Sequence, residues 1–338
     1  MKKGKRKIIT VVTMLAVLFS MLYAWQYVKK LKINGGWYQN GKAGSETEEK
    51  RMDEEKDGKT IEENGKDKEE RNSEQRKNSQ ERVIVENTDY AGIDNTKYGW
   101  WFKRNDSHEK SGCQEDFDIT EYNAYYTVPV SGKVIYITFD CGYENGYTAD
   151  ILDTLKEEEV TAAFFVTQTF IRDNIELTKR MKAEGHLVCN HSVHHPSMPD
   201  KSVEEQKQEI LDCENYMKEA TGYEMDLFFR PPRGEYSKRT LQIAKDLGYR
   251  TIFWSMAYLD YDVNNQPDSG HVVEHFSKYY HPGAIPLLHN VSKANHDALA
   301  QVIRNLKKEG YSFGSLYDLL ETGVKCSRDG SGMEFDEK

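Results

Sequence analysis

The sequence predicts an α/β fold in which parallel strands alternate with helices and curve into a complete or incomplete barrel. Three observations predict it. Short apolar runs alternate with amphipathic segments from about residue 83 onward. Seven such runs occur, enough to curve a sheet back toward itself. Ionisable residues follow five of the runs, and in barrels of parallel strands the site collects at the C-terminal strand ends.

Ahead of that region, Lys2, Lys3, Lys5, Arg6 and Lys7 precede an uncharged stretch, "IITVVTMLAVLFSMLYAWQY", over 8–27. Its length matches the roughly 20 residues of a membrane-crossing helix. Trp25 and Tyr27 stand where an interfacial aromatic belt would lie. "SMLYAWQY" offers no clear small-x-small cleavage site, so an uncleaved signal anchor over 8–28 is expected rather than a cleaved signal. The dense basic cluster over 1–7 places the N-terminus in the cytoplasm and the bulk of the chain outside it. Residues 29–85 are dominated by mixed charge with few apolar residues, and too little surface can be buried there to offset the entropy of ordering. They are expected to form a solvated linker, which suits a domain acting on a bulky, immobile substrate such as cell wall. A globular domain is expected over 86–325 and a flexible tail over 326–338.

Strands are expected at "VIYITF" (134–139), "AAFFV" (162–166), "HLVCN" (186–190), "LFFR" (227–230), "TIFW" (251–254), "AIPLLH" (284–289) and "YSFGS" (311–315). Helices are expected between them. "TADILDTLKEEE" places Ile151, Leu152 and Leu155 on one face; the segment from Ser202 to Gly222 has a capping residue and a stop; "SKRTLQIAKDLG" and "ANHDALAQVIRNLKKEG" each end in glycine.

The net charge of −10 argues against a nucleic-acid partner. The five cysteines have no CxxC pair, which gives little support for a disulfide framework. On the rim, Asp140 follows the first strand, His191 and His195 the third, Arg230 and Arg233 the fourth, Asp260 and Asp262 the fifth, and His289 ends the sixth. His191 and His195 are four apart, so in a helical turn they would share a face and could hold one metal ion, as in zinc hydrolases. No glutamate follows His191 in the HExxH position, which removes the zinc-protease reading. His194 would point away from that face and is read as exposed and inert. Cys141, beside Asp140, is either a thiolate ligand, which suits zinc, or a small filler beside the strand.

Four ordered stretches resemble the motifs of the polysaccharide deacetylase family, carbohydrate esterase family 4: "TFDCG" (138–142), "HSVHH" (191–195), "RPPRGEY" (230–236) and "LLH" (287–289). The resemblance covers about 134–317. It implies a distorted (β/α) barrel and metal-dependent removal of acetyl groups from N-acetylated sugars. It further implies Asp140 as general base, His191 and His195 as metal ligands, His289 as general acid, Arg230 as the residue holding the base, and a backbone N–H near Arg233 as oxyanion donor, with Tyr236 close to the substrate. Two positions depart from the pattern. Cys141 stands where the family has a second aspartate ligand. In "WSMAYLDY", Ala257 and Tyr261 replace an aspartate and a tryptophan, so another group must tune His289, with Asp260 and Asp262 as candidates.

"TFDCGYENGYT", "GWWFKRNDSH" (99–108) and "GAIPLLHNVSKANHDAL" (283–299) look like the sporulation deacetylases that make muramic-δ-lactam in spore peptidoglycan. That implies N-acetylmuramic acid stripped of its peptide as substrate, and Arg233 as a partner for its lactyl carboxylate. Expected partners are peptidoglycan glycan strands and, through the N-terminal helix, the membrane. The rival readings are a deacetylase of N-acetylglucosamine in peptidoglycan or chitin-like glycan, and an inactive membrane-anchored glycan-binding protein. Retention of Asp140, His191, His195 and His289 together argues against the second.

Overall fold

The computed structural model describes residues 82, 84–114 and 116–321. The expected basic tail, anchor, nearly all of the linker, and the C-terminal tail lie outside them. Among the described residues no helix is long and apolar enough to cross a membrane.

Seven strands form one sheet: β1 (Ala124–Tyr125), β2 (Thr138–Cys141), β3 (Ala163–Val166), β4 (Leu187–Asn190), β5 (Asp226–Phe229), β6 (Arg250–Ile252) and β7 (Leu287–His289). Their order is β7-β2-β3-β4-β5-β6-β1, and every neighbouring pair is parallel. β2, β3 and β4 are buried at all four positions, as expected of strands covered on both faces. Beyond β6 the chain runs beside β7. Ser255 N donates to Ile285 O at 3.0 Å and Leu287 N to Met256 O at 2.8 Å. The sheet is a parallel half-barrel whose free edge is met by this segment.

Six of the seven expected strands contribute to the sheet. The seventh place is taken by Ala124–Tyr125, a two-residue strand too short to carry a periodic signal. The expected strand over 311–315 shrinks to Ser312–Phe313 and pairs instead with Val134–Ile135, outside the sheet.

Around the sheet lie α1 (Thr148–Glu157), α2 (Gln168–Asp173), α3 (Ile175–Ala183), α4 (Val203–Thr221), α5 (Lys238–Asp246), α6 (Ser269–Tyr279) and α7 (Lys293–Lys308). α1 buries Ile151, Leu152 and Leu155, as its spacing predicts. α4 starts with a reciprocal capping box between Ser202 and Glu205 and stops at left-handed Gly222. The helices α2, α3 and α6 also lie between expected strands, at segments for which no helical pattern was singled out.

The two-residue alternation of strand side chains sorts the core into two layers. Phe139, Cys141, Phe164, Val166 and Val188 pack toward the helices with Ile151 and Leu155. Phe165, Cys189, Phe228 and Ile252 form the other cluster. That parity separates Asp140 from Cys141.

Candidate active site

The parallel register of β2 and β7 sets Asp140 directly opposite His289. Base and acid candidates therefore share one rung of the sheet, at its C-terminal edge. On the other side of β2, Asp140 is opposite Phe165 of β3. Arg230, which follows β5, is fully buried, with its guanidinium carbon 4.0 Å from the centre of the Phe165 ring. Its Nη1 donates to Asp140 Oδ1 at 2.7 Å and to Thr138 Oγ1 at 3.0 Å, and its Nε donates to Ile252 O at 3.0 Å. Burial by itself would raise the Asp140 pKa. The positive charge of Arg230, with His191 and His289 nearby, outweighs it and holds the carboxyl below the ordinary value.

His191 Nδ1 lies 2.8 Å from Arg230 O. A carbonyl only accepts, so Nδ1 carries the proton and the Nε2 lone pair faces Asp140, whose Oδ2 is 3.5 Å away. The rings of His191 and His195 have centroids 4.8 Å apart. They are brought together not by a helical turn, as the spacing suggested, but by a tight loop in which Ser192 (φ 70°) and His195 (φ 55°) are left-handed. Ser192 Oγ accepts from His195 N at 3.0 Å, which fixes that loop. Burial lowers the pKa of both imidazoles, that of His195 to about 4, so both are neutral at pH 7.

Two neutral imidazoles, one with its tautomer fixed by a carbonyl, fit a divalent cation. The Cys141 side chain is fully buried in the helix-side apolar layer, and burial raises its pKa well above the ordinary thiol value. Among the described residues no group of three or more His, Cys, Asp or Glu side chains stands together as a metal cluster. His191 and His195 form an imidazole pair here, with Asp140 Oδ2 3.5 Å from His191 Nε2.

These groups line a cavity of about 700 Å³ together with Trp254, Tyr261 and Arg233. Arg233 is exposed, adopts φ 61°, and makes no ion pair among the described residues. Gly234 follows it at φ 65°; a Cβ there would stand 2.9 Å from the Trp254 ring, so only glycine lets the loop approach this wall. Tyr236 is not brought to the cavity. It is fully buried in an aromatic cluster with Trp100, Phe253 and Tyr98.

Two carboxylates act on the site from a distance in sequence. Asp260, 1 % exposed, sets Oδ1 2.7 Å from His289 Nδ1 and accepts from His289 N at 2.8 Å through Oδ2. Burial would depress the His289 pKa, but the Asp260 charge and hydrogen bond, aided by Asp140, raise it above the ordinary value. Asp262 instead accepts from Asn264 N in an exposed turn. Glu209 of α4 bonds Nδ1 of His194, which is exposed, as its place in the motif predicts, and lines the cavity. No sequence pattern links either carboxylate to its histidine.

Residues 127–252 match the family model described as polysaccharide deacetylase. The chain is 44% identical over 230 residues to the peptidoglycan-N-acetylmuramic acid deacetylase PdaA of Bacillus subtilis, covering 68% of this chain and 88% of that one. It is 34% identical over 198 residues to a peptidoglycan-N-acetylglucosamine deacetylase of Bacillus cereus, covering 58% and 92%. The solved structure of Bacillus subtilis PdaA, a family 4 carbohydrate esterase, superposes with a TM-score of 0.66 at 42% identity, covering 68% of this chain and 99% of that one. With the site geometry and these likenesses together, the chain belongs to the polysaccharide deacetylase family, hydrolases of the N-acetyl amide bond.

Proposed function

We propose that this protein is a metal-dependent peptidoglycan deacetylase acting on peptide-stripped N-acetylmuramic acid, on the route to muramic-δ-lactam in spore cortex. The observation that carries the reading is the shared rung of Asp140 and His289, with Arg230 holding one and Asp260 the other.

Amide hydrolysis needs an activated water, a stabilised tetrahedral oxyanion and a protonated leaving nitrogen. Asp140, kept ionised by Arg230, takes a proton from the attacking water. His289, kept protonated by Asp260, gives a proton to the sugar nitrogen as the C–N bond breaks, so acetate and a free amine leave. The loop at Arg233 supplies a backbone N–H for the oxyanion. A divalent cation held by His191 and His195, most suitably zinc, would lower the pKa of water and polarise the acetyl carbonyl. Cys141 fills the helix-side layer.

Support for the muramic sugar comes from Arg233, whose guanidinium has no ion-pair partner among the described residues and stands on the cavity wall, suited to a lactyl carboxylate. The Bacillus subtilis relative, a peptidoglycan-N-acetylmuramic acid deacetylase, supports it. The N-terminal segment would anchor the enzyme with its catalytic domain outside the cytoplasm. Mass spectrometry of glycan strands after incubation with the protein tests the reading. Loss of acetyl from peptide-stripped muramic residues is expected. Loss from glucosamine alone would assign the other sugar, and no loss with any divalent metal would overturn the deacetylase reading.

A further inference from the structure

The cavity holds a second carboxylate–imidazole pair that the chemistry above does not use. Glu209 is buried in α4, and its carboxylate takes three hydrogen bonds from one loop. Oε2 accepts from Val193 N at 3.0 Å and His194 N at 2.9 Å, and Oε1 lies 2.8 Å from His194 Nδ1. A carboxylate only accepts, so Nδ1 carries the proton and holds the ring in place, which leaves Nε2 as the free polar edge. The His194 side chain is 76 % exposed and lines the cavity, and Nε2 has no protein partner among the described residues.

We propose that His194 is a glycan-binding residue of this cleft: its Nε2 shares a hydrogen bond with a hydroxyl of the bound glycan chain, a group that can donate or accept. The proposal rests on the glycan reading above. Holding the loop needs only the two backbone bonds to Glu209. The third bond adds little stability, because the ring it fixes is solvent-exposed. It does aim Nε2 in one direction. Base and acid are already supplied by Asp140 and His289, so a third proton-transfer group is not needed. A sugar chain has hydroxyl donors along its edges and apolar ring faces. Trp254 and Tyr261 line the same cavity and can take those faces, leaving hydroxyls for a fixed polar partner.

The test uses the full-length protein in detergent and peptide-stripped glycan oligomers of two or more sugars, with binding read by calorimetry and turnover by acetate release. His194→Ala should weaken binding about 3- to 10-fold, the loss of one net hydrogen bond. KM should rise by a similar factor while kcat, melting temperature and bound metal stay near wild type. His194→Gln, whose amide can accept or donate, should recover part of the affinity. Unchanged Kd and KM in His194→Ala would overturn the proposal. So would a fall in kcat accompanied by lower melting temperature and metal content, which would mean that the ring only supports the loop. If the wild type itself bound no glycan, the glycan reading would fall along with the proposal; equal binding by wild type and variant would remove the proposal alone.

Discussion

Asp260 grips His289 at two points, 2.7 Å from the ring Nδ1 and 2.8 Å from the backbone N–H. The same carboxylate accepts from Asn295 Nδ2 at 2.7 Å, so its own orientation is fixed from α7. Burial pulls the His289 pKa down, and the Asp260 charge and hydrogen bond raise it above the ordinary value.

Asp260→Asn removes the charge that raises the His289 pKa and leaves the burial effect that lowers it. A protonated His289 is required, so the alkaline limb of the kcat/KM profile should move to lower pH. Activity at pH 7 should fall by about tenfold or more. The linked stability has the same sign: in the wild type it is present below the ordinary histidine value and fades as pH rises through the elevated one. A pH–rate profile with an unmoved alkaline limb would remove Asp260 from this role.

Arg230→Met leaves the buried Asp140 carboxylate without its cation. Urea unfolding should show a loss of about 3–5 kcal/mol, and deacetylation should disappear. Arg230→Lys keeps the charge but loses the fork that reaches Ile252 O and Asp140 together, so it should recover stability only in part.

Cys141 tests the layer assignment. Cys141→Ser should leave zinc bound per chain unchanged, because the side chain packs among Phe139, Ile151 and Val166. Cys141→Asp should destabilise the fold by at least about 3 kcal/mol, since it buries a carboxylate among apolar side chains. Tighter zinc binding in Cys141→Asp, measured by competition with a chelator, would place residue 141 in the metal site instead.

Arg233→Gln removes the guanidinium without changing the groups on the Asp140–His289 rung. The ratio of kcat/KM for peptide-stripped muramic residues over glucosamine residues should fall by about tenfold, equivalent to about 1.4 kcal/mol, within the range for a hydrogen bond to a charged group. An unchanged ratio would separate Arg233 from sugar choice.

The sequence by itself determined six of the seven sheet strands and the main residues of the site. Apolar period and capping residues are local signals: Ser202 and Gly222 bound α4 because the orphan groups of a helix end must be satisfied nearby. It likewise marked Asp140, His191, His195, Arg230 and His289, because each ends or closely follows a strand. Only the tertiary structure decided how these groups meet. The β2–β7 register set Asp140 against His289, and strand parity sent Cys141 to the opposite layer from Asp140. Burial, a property of the whole packed chain, lowered the pKa of the His191 and His195 imidazoles. Asp260 reached His289 across 29 positions of sequence and Glu209 reached His194 across 15. Such pairings depend on how a loop or helix packs against a neighbouring strand end, and no periodicity within either segment carries that information.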